Sequence, residues 1–188
     1  FYRIFLGHTF GEENVGLYQL VFPVYALGIS FSCAGTELAL SRCVAQENAA
    51  GHPEKAKELL KTGLIFTFVL SCILTIFLQH NAHMTAISFL HDSRCEELLI
   101  LLSYTFPFAS IHSCICGYSL GLKQTKIPAV SQLFEQTFRI LFVFLFCYYR
   151  TSHQLDLSIS FAVVGLAMGE IFASCYCLYS IHHTASKQ

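Results

Sequence analysis

Leu64-Ile-Phe-Thr-Phe-Val-Leu-Ser-Cys-Ile-Leu-Thr-Ile-Phe-Leu78 is the most apolar part of a run, beginning at Thr62, that carries no Asp, Glu, Lys or Arg before Asp92. A bilayer core about 30 Å thick is crossed by about 20 mostly apolar residues in an α-helix. A run of this length and composition therefore reads as a membrane span. Working outward from it by the same count gives spans at 15–41, 60–80, 98–121, 128–149 and 157–181, with 1–8 as the tail of an earlier one. The expected fold is all-α: a single polytopic transmembrane domain, residues 1–188, built as a bundle of about six helices.

Composition points the same way. Of 188 residues, 54% are hydrophobic and 12% charged, about half the charge a soluble domain carries. Disorder is excluded by the same balance. A net charge of −1 offers no field for nucleic acid. Nine Cys fall mostly inside apolar runs, including Cys33, Cys72, Cys114, Cys116, Cys147, Cys175 and Cys177. They read as small packing residues rather than a disulfide framework. His80, His83 and His91 in one loop, and His182-His183, lack a partner at a recognised ligand spacing. The Cys114-x-Cys116 and Cys175-x-Cys177 pairs each point about 200° apart on a helix. No metal site and no cofactor are expected on these grounds. With no phosphate-binding loop, Ser nucleophile motif or HExxH, no enzymatic activity is expected either.

Short connections make the spans alternate in direction. One side collects Arg42, Lys55, Lys57, Lys61, Lys123, Lys126 and Lys187, the other only Arg94 and Arg150. The basic side is expected to be cytoplasmic, which places loops 42–61 and 122–127 and the C-terminus on the cytoplasmic side of a cell membrane. The Asn48–Leu60 connection reads as a short surface helix, with Pro53 in a first helical position and Glu54 in reach of Lys57.

Ionisable groups inside spans cost about 2.5–3.5 kcal/mol each on insertion scales and need partners or a wet cavity. Glu135 and Arg139, four residues apart, form an intrahelical pair that either faces a neighbouring helix or lines a cavity, leaving Arg139 for an anionic substrate. Gln132 and Gln136 lie near the same face. Glu37 lies about a turn inside the cytoplasmic end of its span. Glu170 sits among Gly165, Gly169 and Ala173, a small face suited to close helix packing. It either titrates in a transport cycle or bonds a neighbour. Arg3, between Phe1-Tyr2 and Ile4-Phe5, is a candidate phosphate ligand, since a guanidinium grips phosphate in a bidentate way.

Three stretches, taken together, resemble a known family. Phe1-Tyr-Arg-Ile-Phe-Leu6 with Gly11-Glu-Glu-Asn-Val-Gly-Leu-Tyr-Gln-Leu-Val-Phe-Pro-Val-Tyr25 is similar to the first-helix exit and second-helix start of the stage V sporulation protein B type of polysaccharide transporter. Gly35-Thr-Glu-Leu-Ala-Leu-Ser-Arg-Cys-Val-Ala45 resembles its G-x-P-x-A-x-S-R-x-V-A pattern, with Glu37 in place of Pro. Gly117-Tyr-Ser-Leu-Gly-Leu-Lys123 and Pro128-Ala-Val-Ser-Gln-Leu-Phe-Glu-Gln-Thr-Phe-Arg139 resemble its G-Y-x-Q-G-x-x loop and P-x-x-x-S-Q-x-x-E-Q-x-x-R helix.

The resemblance implies the multidrug/oligosaccharidyl-lipid/polysaccharide superfamily, whose two lobes enclose a central cavity. It implies that this chain is most of the N-terminal lobe of such a two-lobed, MATE-like transporter, which exports a lipid-linked oligosaccharide or peptidoglycan precursor by alternating access. The partners so implied are the lipid-linked sugar, the bilayer and the remaining C-terminal lobe; without that lobe, the chain is not expected to transport. Arg3, Arg139, Glu135, Gln132 and Gln136 are the expected substrate contacts and Glu37 and Glu170 the expected coupling groups, driven by an ion gradient or the membrane potential. A cation-coupled multidrug exporter of the same superfamily is the alternative. A membrane-embedded glycosyltransferase and a non-transporting scaffold follow behind it.

Overall fold

The computed structural model describes residues 2–152 and 159–185, with side chains for 6–149 and 159–181. All the regular structure within them is helical: α1 (Tyr2–Phe10), α2 (Glu12–Ile29), a π-turn (Ser30–Ala34), α3 (Gly35–Ala49), α4 (Pro53–His80), the single turn α5 (Ala82–Met84) with a second π-turn (Thr85–Phe89), α6 (Cys95–Ser103), α7 (Phe106–Gly121), α8 (Lys126–Ser152) and α9 (Ser160–Ala185). Four helices among the described residues are long and apolar enough to cross a membrane: Glu12–Ala49, Pro53–His80, Lys126–Tyr149 and Ser160–Ile181. The bent pair α6–α7 makes a fifth. The expected span 1–8 corresponds to α1, nine residues long and too short for a crossing of about 30 Å. The first residues of the expected span 157–181 lie outside the described residues.

The spans differ from the sequence expectation in three places. The surface helix expected at 48–60 is the first part of α4. Pro53 does start a helix, Glu54 does meet Lys57 at 3.2 Å, but the helix then runs on without interruption into the apolar stretch. The true connection is Ala50–His52, where Gly51 (φ 78°) ends α3: its N–H bonds Asn48 O and that of His52 bonds Glu47 O at 3.0 Å, a Schellman cap. Lys123 (φ 61°) plays the same part after α7, with Gln124 N–H on Ser119 O at 2.8 Å. Second, Glu12–Ala49 is a single rod whose register shifts at the π-turn rather than ending near residue 41. With Glu37 in place of the family pattern's Pro, nothing stops the helix there.

Third, the span at 98–121 bends by 44° between α6 and α7. Pro107 explains it: its ring displaces the carbonyl four residues back and it has no N–H to offer it. That carbonyl, on Ser103, instead accepts a hydrogen bond from Thr75 Oγ1 at 3.1 Å, while Gln79 Nε2 donates to Ser103 Oγ at 3.0 Å. The break is thus sealed by α4, as a backbone in hydrocarbon requires.

α4 is built inside out for water. Thr67, Ser71 and Thr75 recur every four residues on its buried face, while Ile65, Phe66, Val69, Ile73, Ile76 and Phe77 are exposed. Ser71 reaches Ser110 on α7 at 3.1 Å. Polar glue within and hydrocarbon without is the packing logic of a lipid-facing helix.

Two glycine pairs set the closest helix contacts. A Cβ at Gly121 would stand 2.8 Å from Ser41 O and 2.7 Å from Val44 Cβ, and one at Gly117 2.7 Å from Glu37 O, so α3 and α7 approach backbone to backbone. Gly165 and Gly169 let α9 do the same to α8, where a Cβ at Gly169 would lie 2.7 Å from Glu135 O. Between α8 and α9, Phe138 stacks on Phe172 with centroids 4.1 Å apart and Phe146 on Phe161 at 3.9 Å. The small face expected around Glu170 is therefore a packing face.

At the end of the bundle opposite Gly51 and Lys123, Arg94 closes a small ionic cluster. It contacts Asp92 at 2.9 Å and Glu13, on the first turn of α2, at 2.6 Å. Hydrogen bonds from Arg94 hold the Asp92 carboxyl below its ordinary range.

Three outcomes are expected from this packing. Gly121→Ala should lower the unfolding midpoint in detergent by an amount equivalent to about 1–3 kcal/mol through overpacking. Gly35→Ala, at a helical site with nothing within 4 Å of the added carbon, should raise it by about 0.5–1 kcal/mol. Because the Asp92 carboxyl is depressed in the folded state, its contribution is present above the unfolded value of about 3.9 and lost as pH falls through the folded one. The gap in midpoint between wild type and Asp92→Asn should then be open at neutral pH and close under acid.

Candidate functional site

Along each long helix the side chains change from apolar to polar and back. α7 passes from Phe106 through His112 to Cys114, α9 from Leu166 through Glu170 to Cys177, and α8 from Ile127 through Glu135 to Val143. The flanking residues belong to separate apolar clusters. The polar residues meet at one level, around a cavity of about 250 Å³ walled by Cys33, Glu37, His112, Ser113, Gln132, Glu135 and Glu170 among others. A second cavity, about 380 Å³, carries Tyr25, Gln136 and Arg139 and shares Ile29, Glu135 and Glu170 with the first.

The π-turn brings α2–α3 into this site. Ile29, Cys33 and Glu37 all line the first cavity, although eight residues of α-helix would carry Glu37 about 80° round from Ile29. The wider coil of a π-turn takes up about one extra residue and restores the alignment.

Glu170 is the centre of the network, 8% exposed. Tyr25 OH donates to its Oε1 at 3.3 Å, and His112 Nδ1 faces its Oε2 at 3.2 Å. The far side of the imidazole, Nε2, faces Ser131 Oγ at 3.0 Å. Glu37 accepts a hydrogen bond from Ser113 Oγ at 2.6 Å. Arg139 bonds Glu135 directly and donates to Gln136 Oε1 at 3.3 Å. Its Nε is buried with no hydrogen-bond partner among the described residues.

The Glu135 and Arg139 side chains thus engage each other and also wall a cavity. Gln132 and Gln136 lie on the open, exposed side of α8. Of the sequence-expected residues, Glu37, Gln132, Glu135, Gln136, Arg139 and Glu170 come together here. Arg3 belongs to α1, and its side chain lies outside the described ones. Sequence reasoning missed His112, Ser131 and Tyr25. His112 carried a signal, as an ionisable residue inside the 98–121 span, but a count restricted to Asp, Glu, Lys and Arg passes over it.

Fold and site thus define a polytopic helical membrane protein with a polar cavity at mid-bundle. The chain belongs to the polysaccharide biosynthesis protein family, whose model matches residues 1–187. It is similar to stage V sporulation protein B of Bacillus subtilis, 29% identical over 174 residues, which are 93% of this chain and 34% of that protein. It is also similar to sporulation protein YkvU, 21% identical over 178 residues (95% and 38%), and to lipid II flippase MurJ, 27% identical over 141 residues (71% and 26%), both from the same organism. The chain spans about a third of the length of these relatives. No solved structure matches it.

The pairing generates a prediction. Removing one partner of a buried ion pair leaves the other uncompensated. Glu135→Gln should lower the unfolding midpoint by the equivalent of about 3 kcal/mol, and the double variant Glu135→Gln/Arg139→Gln should recover most of that loss in the same thermal melt.

Proposed function

We propose that this chain forms the N-terminal-lobe wall of a cavity through which a longer protein moves a lipid-linked oligosaccharide or peptidoglycan precursor across the cytoplasmic membrane by alternating access. The observation that carries the reading is the polar cavity region itself, with a largely buried guanidinium in its wall and two amides on its open side, inside a bundle whose exterior is apolar. Membership in a polysaccharide biosynthesis family and likeness to a protein named as a lipid II flippase support it.

On this reading Arg139, positioned by Glu135, turns the Nη1 that now meets Gln136 to the pyrophosphate of the substrate. Arg3 supplies a second cation from α1. Gln132 and Gln136 bond sugar hydroxyls, and the lipid tail stays in the bilayer on the open side of α8. Glu37 and Glu170 couple movement to an ion gradient or the membrane potential. The basic loops 42–61 and 122–127 and the C-terminus face the cytoplasm, and the C-terminal lobe completes the cavity. Binding and reorientation suffice, so no enzymatic step and no cofactor enter.

One observation favours a second reading, a cation-coupled multidrug exporter. Three carboxylates, Glu37, Glu135 and Glu170, line the first cavity, a setting suited to cations.

Export of a radiolabelled lipid-pyrophosphate sugar by the full-length protein in proteoliposomes separates the two. Each charge-assisted phosphate contact is worth about 1.5–3 kcal/mol, so Arg3→Ala and Glu135→Gln/Arg139→Gln should each slow export about tenfold or more with insertion unchanged. Unimpaired export in both would make the arginines structural. No export by wild type, with movement of a cationic dye abolished by Glu170→Gln, would establish the second reading.

A further inference from the structure

We propose that His112, Cys116 and Cys177 form a binding site for a thiophilic divalent cation of the zinc type at the floor of the cavity. Their ligand atoms, one nitrogen and two sulfurs, all lie within 4.8 Å of one another. On a tetrahedral zinc, with bonds of about 2.3 Å to sulfur and about 2.0 Å to nitrogen, neighbouring ligand atoms stand about 3.5–3.8 Å apart, so small rotamer shifts close the set.

Three features distinguish this group from cysteines used only as packing. His112 and Cys116 lie four residues apart on one face of α7, and Cys177 reaches them from α9, so the ligands come from two helices already fixed against each other. The imidazole is oriented as metal-binding imidazoles are: Nδ1 faces the Glu170 carboxylate at 3.2 Å, which leaves Nε2 on the side of the thiols, where it gives its N–H to Ser131 Oγ at 3.0 Å while Ser131 donates to Pro128 O at 2.9 Å; Nε2 ligates once it gives up that proton. A carboxylate behind a ligating histidine fixes its tautomer and raises its basicity. Ser131 Oγ, 3.0 Å from Nε2 and 3.7 Å from Cys116 Sγ, stands where a fourth ligand or its water is held.

Charge decides between this group and the neighbouring set His112, Glu135 and Glu170. Glu135 is engaged by Arg139, and Glu170 already serves Tyr25 and His112. Cys116 and Cys177 are 7% and 0% exposed and belong to an apolar cluster with Ile115 and Ile127. On binding, each S–H bond and the imidazole Nε2–H bond break, each sulfur and Nε2 form a bond to the metal, and the three protons leave through the cavity to water. A divalent ion with two thiolates and a neutral imidazole is an uncharged centre, suited to an apolar surrounding. His112 and Cys116 line the cavity, which gives the ion its route. The bound metal would tie α7 to α9.

The test uses the reduced full-length protein in detergent, titrated with Co²⁺ as a spectroscopic probe and then with Zn²⁺. The site should take one Co²⁺ per chain, with a thiolate-to-cobalt charge-transfer band and tetrahedral d–d bands that Zn²⁺ abolishes. Cys116→Ser and Cys177→Ser should each lose the charge-transfer intensity and weaken binding at least about tenfold, while Cys175→Ser, on the exposed face of α9, should keep both. In the unmutated protein, Zn²⁺ should protect Cys116 and Cys177, and not Cys33 or Cys147, from a small membrane-permeant alkylating reagent read by peptide mass spectrometry. That readout stands even if a variant fails to fold. Absence of the thiolate band, its survival in Cys116→Ser or Cys177→Ser, or equal alkylation of these cysteines with and without Zn²⁺ would overturn the site. None of these readouts depends on transport, so the site stands or falls separately from the flippase reading.

Discussion

The bundle is organised by the need to satisfy one carboxylate where water is scarce. Glu170 sits at the middle of α9 with its side chain almost wholly enclosed, a position that costs several kcal/mol unless partners are supplied. Tyr25 and His112 supply them, so α2, α7 and α9 are referenced to a single pair of oxygens. The glycines one position and five positions before it, Gly169 and Gly165, bring α8 close enough for the Glu135–Arg139 pair to share the same cavity walls. Removing the carboxylate would leave three helices without a common point of registration.

The irregular backbone is completed by side chains in the same way. The π-turn Ser30–Ala34 lies beside the polar layer, and the α6–α7 bend lies in the apolar core about two turns before His112. Regular helix satisfies its own amides, and a break in hydrocarbon is tolerated only where another part of the protein completes it. Thr75 does so for the carbonyl that Pro107 releases, and Ser32 Oγ donates to Gly28 O at 2.8 Å beside the π-turn. The hydroxyl stripe of α4 is thus a structural counterpart of the charged cluster: it holds backbone, while Glu170 and His112 hold helices.

What was legible in the sequence was whatever is encoded within one helix. Apolar run length gave the spans, the four-residue interval gave Glu135–Arg139, and Gly165-Gly169-Ala173 gave a packing face. Contacts between helices were not legible. His112 and Glu170 are 58 residues apart, and Cys116 and Cys177 belong to two different C-x-C pairs, each of which taken alone cannot chelate. Their meeting depends on the rotation of α9 against α7, which glycines and ring stacking fix. The misread surface helix has a similar cause. Glu54, Lys55 and Lys57 look like an interfacial segment, yet long charged side chains at the end of a span simply extend to water and leave the helix unbroken.

These attachments also bear on how such a bundle moves. α3 is clasped to α7 through Gly117 and Gly121, α9 to α8 through Gly165 and Gly169, α4 to α7 through Ser71–Ser110, and α7 to α9 through His112–Glu170. Every clasp either involves α7 or reaches it through one neighbour. Interiors packed this closely do not deform gradually, so internal rearrangement would have to break several clasps together. On the proposed reading, alternating access is then reached more cheaply by rocking this bundle as one body against the rest of the protein, the usual route for transporters with a fixed central site. The open side of α8, with Gln132 and Gln136, is the surface across which that motion would be felt.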